Sequence, residues 1–316
     1  MLLAVLILAA VANALENDNI DRSACLNPEF YSGTQNISIK VGKIDRLFEL
    51  YTPWETSGKC GLTHQCTGPP RDRRGLVMNW HGCNAHAPIL DYHTEISQVT
   101  EEAKNRGMFA ITPLGTRTVS GSFGWNADGI PCGYRGVNDF DFFLSIMDFV
   151  NTKLCVDDKK IYTVGFSTGG FLANGLACRY PNMIAAAGTD AGGLSRTELK
   201  QCRTGEPVPI QSFHSLDDPT VPYNGTFLWA GQLEVDQMWR DRNGCDDSIT
   251  PITTFNTSTT VCQKWACPGA PVEACTLSGG MDHCWYGGRS GGFPVCIKRE
   301  TDVHATKHMF DFWESL

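Results

Sequence analysis

The sequence predicts an α/β fold, with a mostly parallel central sheet covered by helices on both faces. Three observations carry that expectation. Short β-branched or apolar runs alternate with longer runs of helical spacing, the pattern of parallel strands joined by crossover helices. One apolar run passes through Gly165-Phe166-Ser167-Thr168-Gly169 straight into a helix-like run. Finally, 316 residues, 42% hydrophobic and 19% charged, are enough to bury a large core in ordinary globular proportions.

Taken in order, the chain opens MLLAVLILAAVANALE, an apolar run ending near Ala12-Asn13-Ala14. It is expected to be an export signal cut after Ala14, and it is too short to span a bilayer. Residues 15–316 are then expected to form a single domain. Strands are expected at Arg46 to Tyr51, Gly75 to Trp80, Gly107 to Pro113, Lys160 to Phe166, Met183 to Ala191 and Pro207 to His214. One helix is expected from Tyr92 to a glycine stop at Gly107, with Ile96, Val99 and Ala103 on one face. Phe142, Ile146 and Phe149 mark a second helix, and Val303, Thr306, Phe310 and Trp313 a third. The cysteine-rich stretch from about Gly244 to Cys284 carries few helical signals and is expected to be a stapled insertion.

Fourteen cysteines after an export signal imply disulfides and an oxidising, extracellular compartment. Sequons at Asn36, Asn224 and Asn256 are compatible with glycosylation. No C-x-x-C pair and no His-Glu-x-x-His occurs, so neither a metal nor an organic cofactor is expected. The net charge of −8 comes without any basic run, which excludes a nucleic-acid partner. No later run is apolar enough for a membrane span, and a monomer is expected.

Gly165-Phe166-Ser167-Thr168-Gly169 fits G-x-S-x-G, the turn that exposes a nucleophile at the end of a central strand. Glycines beside the serine remove side chains that would collide in so sharp a turn. The helix that follows presents its free N–H groups to a developing negative charge. A serine hydroxyl needs a base, and the base an orienting carboxylate. Downstream, an apolar strand runs into a turn holding Asp217 and Asp218, and a glycine loop holds His283. Adjacent side chains in such a turn diverge, so only one aspartate is expected to reach His283. Upstream, a buried strand ends in His81-Gly82-Cys83. A glycine there would turn the Cys83 N–H toward the nucleophile, beside that of Thr168, as an oxyanion hole. His81 itself is expected to be structural.

The ordered set His-Gly-Cys, Trp-Asn, Gly-x-Ser-x-Gly-Gly, His-x-x-x-Asp-x-x-Val-Pro-Tyr and Gly-x-x-His-x-Trp, from about Phe48 to Phe312, resembles a known family. This is the secreted feruloyl and acetylxylan esterases with the polyhydroxybutyrate depolymerase-like esterases, which are α/β-hydrolases of carbohydrate esterase family 1. The resemblance implies an α/β-hydrolase catalytic domain with Ser167 as nucleophile, Asp218 as acid and His283 as base. It implies oxyanion donors at Cys83 and Thr168. Trp125, Trp285 and Tyr286 are expected to line an acyl pocket. The implied substrates are feruloyl or acetyl esters, small or on plant-type polysaccharide. A short-chain polyester is the alternative, and an inactive hydrolase-fold binding protein the reading from another class. Ser215 and Tyr286 depart from the glycine and proline common in the family.

Overall fold

The structure, a computed structural model, describes residues 32–53, 73–83, 89–118, 121–127, 130–133, 136–280, 282–288 and 301–316. The export signal expected at residues 1–14 lies outside them, as do Cys25, Cys60, Cys66 and Cys296.

Chain order begins with a hairpin, β1 (Gly33–Val41) and β2 (Ile44–Thr52), closed by Gly42 at φ 60°. Next come β3 (Arg74–Trp80), helices α1 (Ile89–Ser97) and α2 (Val99–Asn105), and β4 (Phe109–Pro113). Two short ribbons follow, β5 (Thr116–Arg117) with β6 (Phe123–Gly124), and β7 (Asn126–Ala127) with β8 (Ile130–Pro131). The middle of the chain supplies α3 (Asp139–Lys153), β9 (Val156–Phe166), α4 (Thr168–Arg179), β10 (Ala186–Asp190) and α5 (Arg196–Gln201). The last part supplies β11 (Ile210–Ser215), α6 (Gln232–Asn243), β12 (Ile252–Asn256), β13 (Thr260–Trp265), β14 (Val272–Leu277) and α7 (Ala305–Glu314).

The main sheet runs β1-β2-β4-β3-β9-β10-β11-β14-β13-β12. The six strands from β4 to β14 in that order are parallel, and the pairs outside them are antiparallel. Alternate strand residues feed two cores, one on each face. Leu76, Met78 and Trp80 join Phe142 and Ile146 of α3, Leu172 of α4 and Trp239 of α6. Val77, Val164 and Phe166 join Val99 of α2 and Phe310 and Trp313 of α7. Burying each such side chain contributes about 2 kcal/mol. Strand order reverses between β3 and β9, and a crevice opens at such a switch point, outside the carboxyl ends of the strands.

Two expectations are corrected. The helix expected from Tyr92 to Gly107 is broken at Gln98, which sits left-handed at φ 57°. The break is held from outside, because Ser97 takes Asn79 Nδ2 on its hydroxyl at 2.9 Å and the Thr306 hydroxyl on its carbonyl. The cysteine-rich stretch is part of the main sheet. Its β14 pairs in parallel with β11, and β13 and β12 continue outward. Alternating Thr and Val with polar residues suits half-buried edge strands, and the cysteines obscured that period. Cys262–Cys275 bonds β13 to β14, while Cys245–Cys267 ties the end of α6 to the loop after β13.

Candidate active site

Ser167 stands between β9 and α4 at φ 54°, ψ −123°. That conformation is costly for a residue with a Cβ and persists only where its surroundings impose it. They do so here. A Cβ on Gly165 would collide with the Gly169 carbonyl, and one on Gly169 with the Trp80 and His81 carbonyls. The Ser167 N–H donates to the Asp190 carbonyl at 2.9 Å, and its own carbonyl accepts from the Phe171 N–H at 3.0 Å. Its hydroxyl does not cap α4. As the first helical residue, Thr168 has an N–H with no acceptor inside the helix.

The loop after β3 lies against this turn. A Cβ on Gly82 would meet Ser167 Cβ at 3.3 Å and the Phe166 ring at 2.9 Å. Cys83 follows and is bonded to Cys132. His81 is fully buried, and it accepts from the Gly115 N–H on Nε2 at 2.9 Å. Its Nδ1–H therefore donates to the Gly82 carbonyl at 2.7 Å. Burial pushes its pKa down to about 4, so it is a neutral brace of the loop. Behind it His93, lowered to about 3 by burial, contacts the Asn79 amide oxygen at 2.9 Å.

The carboxyl ends of β11 and β14 deliver the other two side chains. Asp218 Oδ1 accepts from the N–H groups of Thr220 and Val221, each at 2.8 Å, and Oδ2 lies 2.8 Å from His283 Nδ1. Burial works against its charge, but hydrogen bonds from His214, His283 and Val221 prevail and hold it well below the usual carboxylate range. The neighbouring Asp217 is exposed and accepts from the Gly280 N–H at 2.9 Å. The His283 ring packs on Phe166, centroids 4.8 Å apart, one residue before Ser167. Asp190 joins the two loops. Its carbonyl holds Ser167, and its Oδ2 accepts from the Tyr286 N–H at 2.9 Å. Ser167, Asp218 and His283 are all buried, at 6%, 4% and 3% exposure.

The aromatic residues expected to line an acyl pocket sit differently. Trp125 is fully buried and donates its indole N–H to the His81 carbonyl at 2.6 Å. Tyr286 is fully buried as well. Its hydroxyl accepts from the Ser215 N–H at 3.0 Å and faces the Asp282 carbonyl at 3.2 Å. Neither offers surface to a ligand, so both are corrected to braces of the loops. Trp285, at 5% exposure, donates to the Thr306 hydroxyl at 2.9 Å. Sequence reasoning missed Asp190 and Asp236, both buried. The only available signal was an acidic residue closing an apolar strand or lying within a polar helix, which is common on surfaces too.

Among the described residues the cysteines are in disulfides, including Cys178–Cys202. No described helix is long and apolar enough to cross a membrane.

Comparison with known proteins agrees with this architecture. Residues 64–200 match the family model described as Esterase PHB depolymerase. Feruloyl esterase B of Piromyces equi is 30% identical over 65% of this chain and 39% of its own length. Feruloyl esterase C of Emericella nidulans is 27% identical over 49% of this chain and 55% of its own. The chain thus spans about two fifths to just over half of these relatives. Among solved structures, acetyl xylan esterase from Aspergillus awamori superposes with a TM-score of 0.55 at 16% identity, over 79% of this chain and 94% of that one. A thermostable esterase gives 0.51 at 15%, over 78% and 55%. At such identities the structures show the fold alone. The chain therefore has the fold of the α/β-hydrolases, matches the Esterase PHB depolymerase model over residues 64–200, and is similar in sequence to feruloyl esterases.

Proposed function

We propose that the chain is an exported, monomeric serine esterase that hydrolyses carboxylic esters, chiefly feruloyl or acetyl esters of plant-type polysaccharide, through Ser167, His283 and Asp218. The observation that carries this reading is the 2.8 Å contact of His283 Nδ1 with an ionised Asp218, with the His283 ring packed on Phe166, the residue before a serine held on a strained strand-to-helix turn. The feruloyl esterase relatives support the substrate class. The disulfides support an oxidising compartment. All three sequon asparagines are exposed, as glycosylation requires.

In this mechanism His283 takes the Ser167 proton as the hydroxyl attacks the ester carbonyl. Asp218 fixes the imidazole tautomer and stabilises the imidazolium that forms. The oxyanion is met by the N–H groups of Cys83 and Thr168, and losing one such donor costs about 3 kcal/mol of transition-state stabilisation. The alcohol leaves with a proton from His283, and water then releases the acyl group with the roles reversed.

The test is hydrolysis of p-nitrophenyl acetate by the purified chain and by Ser167→Ala. A loss of at least about a thousandfold is expected, and equal rates would leave an inactive binding protein. The family description over residues 64–200 favours a second substrate reading, a short-chain polyester. Release of ferulate from methyl ferulate, acetate from acetylated xylan and hydroxybutyrate from a polymer film separates the two.

A further inference from the structure

We infer that His214 is a positioning residue for the acid of the triad: a buried imidazolium, protonated on both nitrogens, that steadies Asp218 at the carboxylate oxygen that also meets His283. This rests on the serine-esterase reading above.

The charge of the ring follows from what its nitrogens face. Nε2 lies 2.7 Å from the Val221 carbonyl, which can only accept. Nδ1 lies 2.9 Å from Gln232 Oε1. The Gln232 amide cannot be turned round, because its nitrogen donates to Asp236 Oδ1 at 2.8 Å. Asp236 also takes the Ser212 hydroxyl at 2.9 Å. Two acceptors on one imidazole require two N–H groups, so the ring carries a positive charge. That charge sits 3.4 Å from Asp218 Oδ2, the oxygen that also meets His283.

His214 is 2% exposed, and an unpaired charge there would be costly. Burial alone lowers the His214 pKa, but Asp218, the Val221 carbonyl and Gln232 together raise it above the ordinary imidazole value. Burial pushes Asp236 up to about 6, against the pull of its hydrogen bonds. The groups facing the ring are Asp218 from its own turn, Gln232 and Asp236 from α6, and the edge of Tyr223 at 5.7 Å. Thr276 of β14, its pairing partner in the sheet, is uncharged. Asp218 in turn helps raise the pKa values of Asp190 and Tyr286.

One consequence separates this role from plain packing. Asp218 shares its charge between two imidazoles. Without the cation at residue 214, that charge would act on His283 alone and raise its affinity for a proton. His214→Gln is therefore expected to lower kcat at least about tenfold with KM little changed. It should also move the acid limb of kcat/KM upward by about half a pH unit or more. Gln232→Leu, which removes the Nδ1 acceptor together with the amide donor to Asp236, should move the limb the same way.

The experiment is p-nitrophenyl acetate kinetics on the full chain, His214→Gln, Gln232→Leu and Ser167→Ala. Nitrogen-15 NMR of the histidine-labelled wild-type chain runs beside it. Both His214 nitrogens should stay protonated from about pH 5 to 8. A bare His214 nitrogen near neutral pH overturns the inference, even where His214→Gln fails to fold. So does a wild-type kcat and acid limb in His214→Gln beside an inactive Ser167→Ala. Equal rates in wild type and Ser167→Ala would instead sink the esterase reading, a distinct result.

Discussion

Asp217 and Asp218 are neighbours in one turn, yet their carboxylates are committed to different loops. Asp217 holds the exposed Gly280 backbone, while Asp218 is buried against His283. Asp218→Asn is expected to lower kcat about ten-thousandfold, because the amide no longer fixes the productive tautomer. Asp217→Asn should stay within about threefold of wild type, as surface changes do. Steady-state kinetics of the two variants checks this. Asp190 poses a different question, because its Oδ1 is buried with no hydrogen-bond partner among the described residues. Burial, with Asp218 nearby, raises its pKa well above the usual value even though the Tyr286 N–H opposes this. A carboxyl that binds its proton more tightly folded than unfolded stabilises at low pH and loses that advantage as pH rises. Asp190→Asn, which keeps an acceptor for Tyr286, should gain stability over wild type as pH rises from about 4 to 8. Thermal unfolding across that range tests it, and a gap that shrinks with pH would contradict it.

At the scale of elements, the order strand, elbow, helix was legible because β9 and α4 state their own chemistry: β-branched residues, then glycines, then small helix formers. The breaks were legible only in part. Gln98 carries no helix-stopping signal, and its left-handed backbone is imposed by Asn79 and Thr306, remote in sequence. Strands β12 to β14 were hidden because five cysteines in one stretch suggested a stapled loop. Disulfide Cys262–Cys275 instead joins neighbouring strands beside β11, the strand that carries His214. Cys262→Ala with Cys275→Ala should cost about 2–4 kcal/mol, read by chemical denaturation. The turn after β11 holds Asp218, so activity should be lost at lower denaturant than in wild type. Ser215 and Tyr286, the two departures from the family pattern, touch one another. The tyrosine hydroxyl braces the end of β11, a link that no single position in the sequence discloses.

Across the whole molecule, the site is held by a buried chain of polar contacts that starts far from it. Arg46 of β2 donates to Asp139 at 2.7 Å, and its guanidinium lies 3.9 Å from the Phe142 ring centroid. Asp139 accepts the Asn126 N–H, next to Trp125, whose indole holds the His81 carbonyl beside Gly82. Arg46→Met leaves a buried carboxylate unpaired and should cost about 3–5 kcal/mol. Adding Asp139→Asn should recover part of that, as unfolding curves of the single and double variants would show. Neither partner was legible as a pair, because 93 residues separate them.

The central claim is that distant loops make one serine a nucleophile. The most direct measurement is labelling of the full chain with a serine-directed fluorophosphonate, followed by peptide mass mapping, for wild type and His283→Ala. The expected result is one adduct per chain, on Ser167, that His283→Ala abolishes. An adduct on another residue, or ester hydrolysis that persists while Ser167 stays unlabelled, would contradict it.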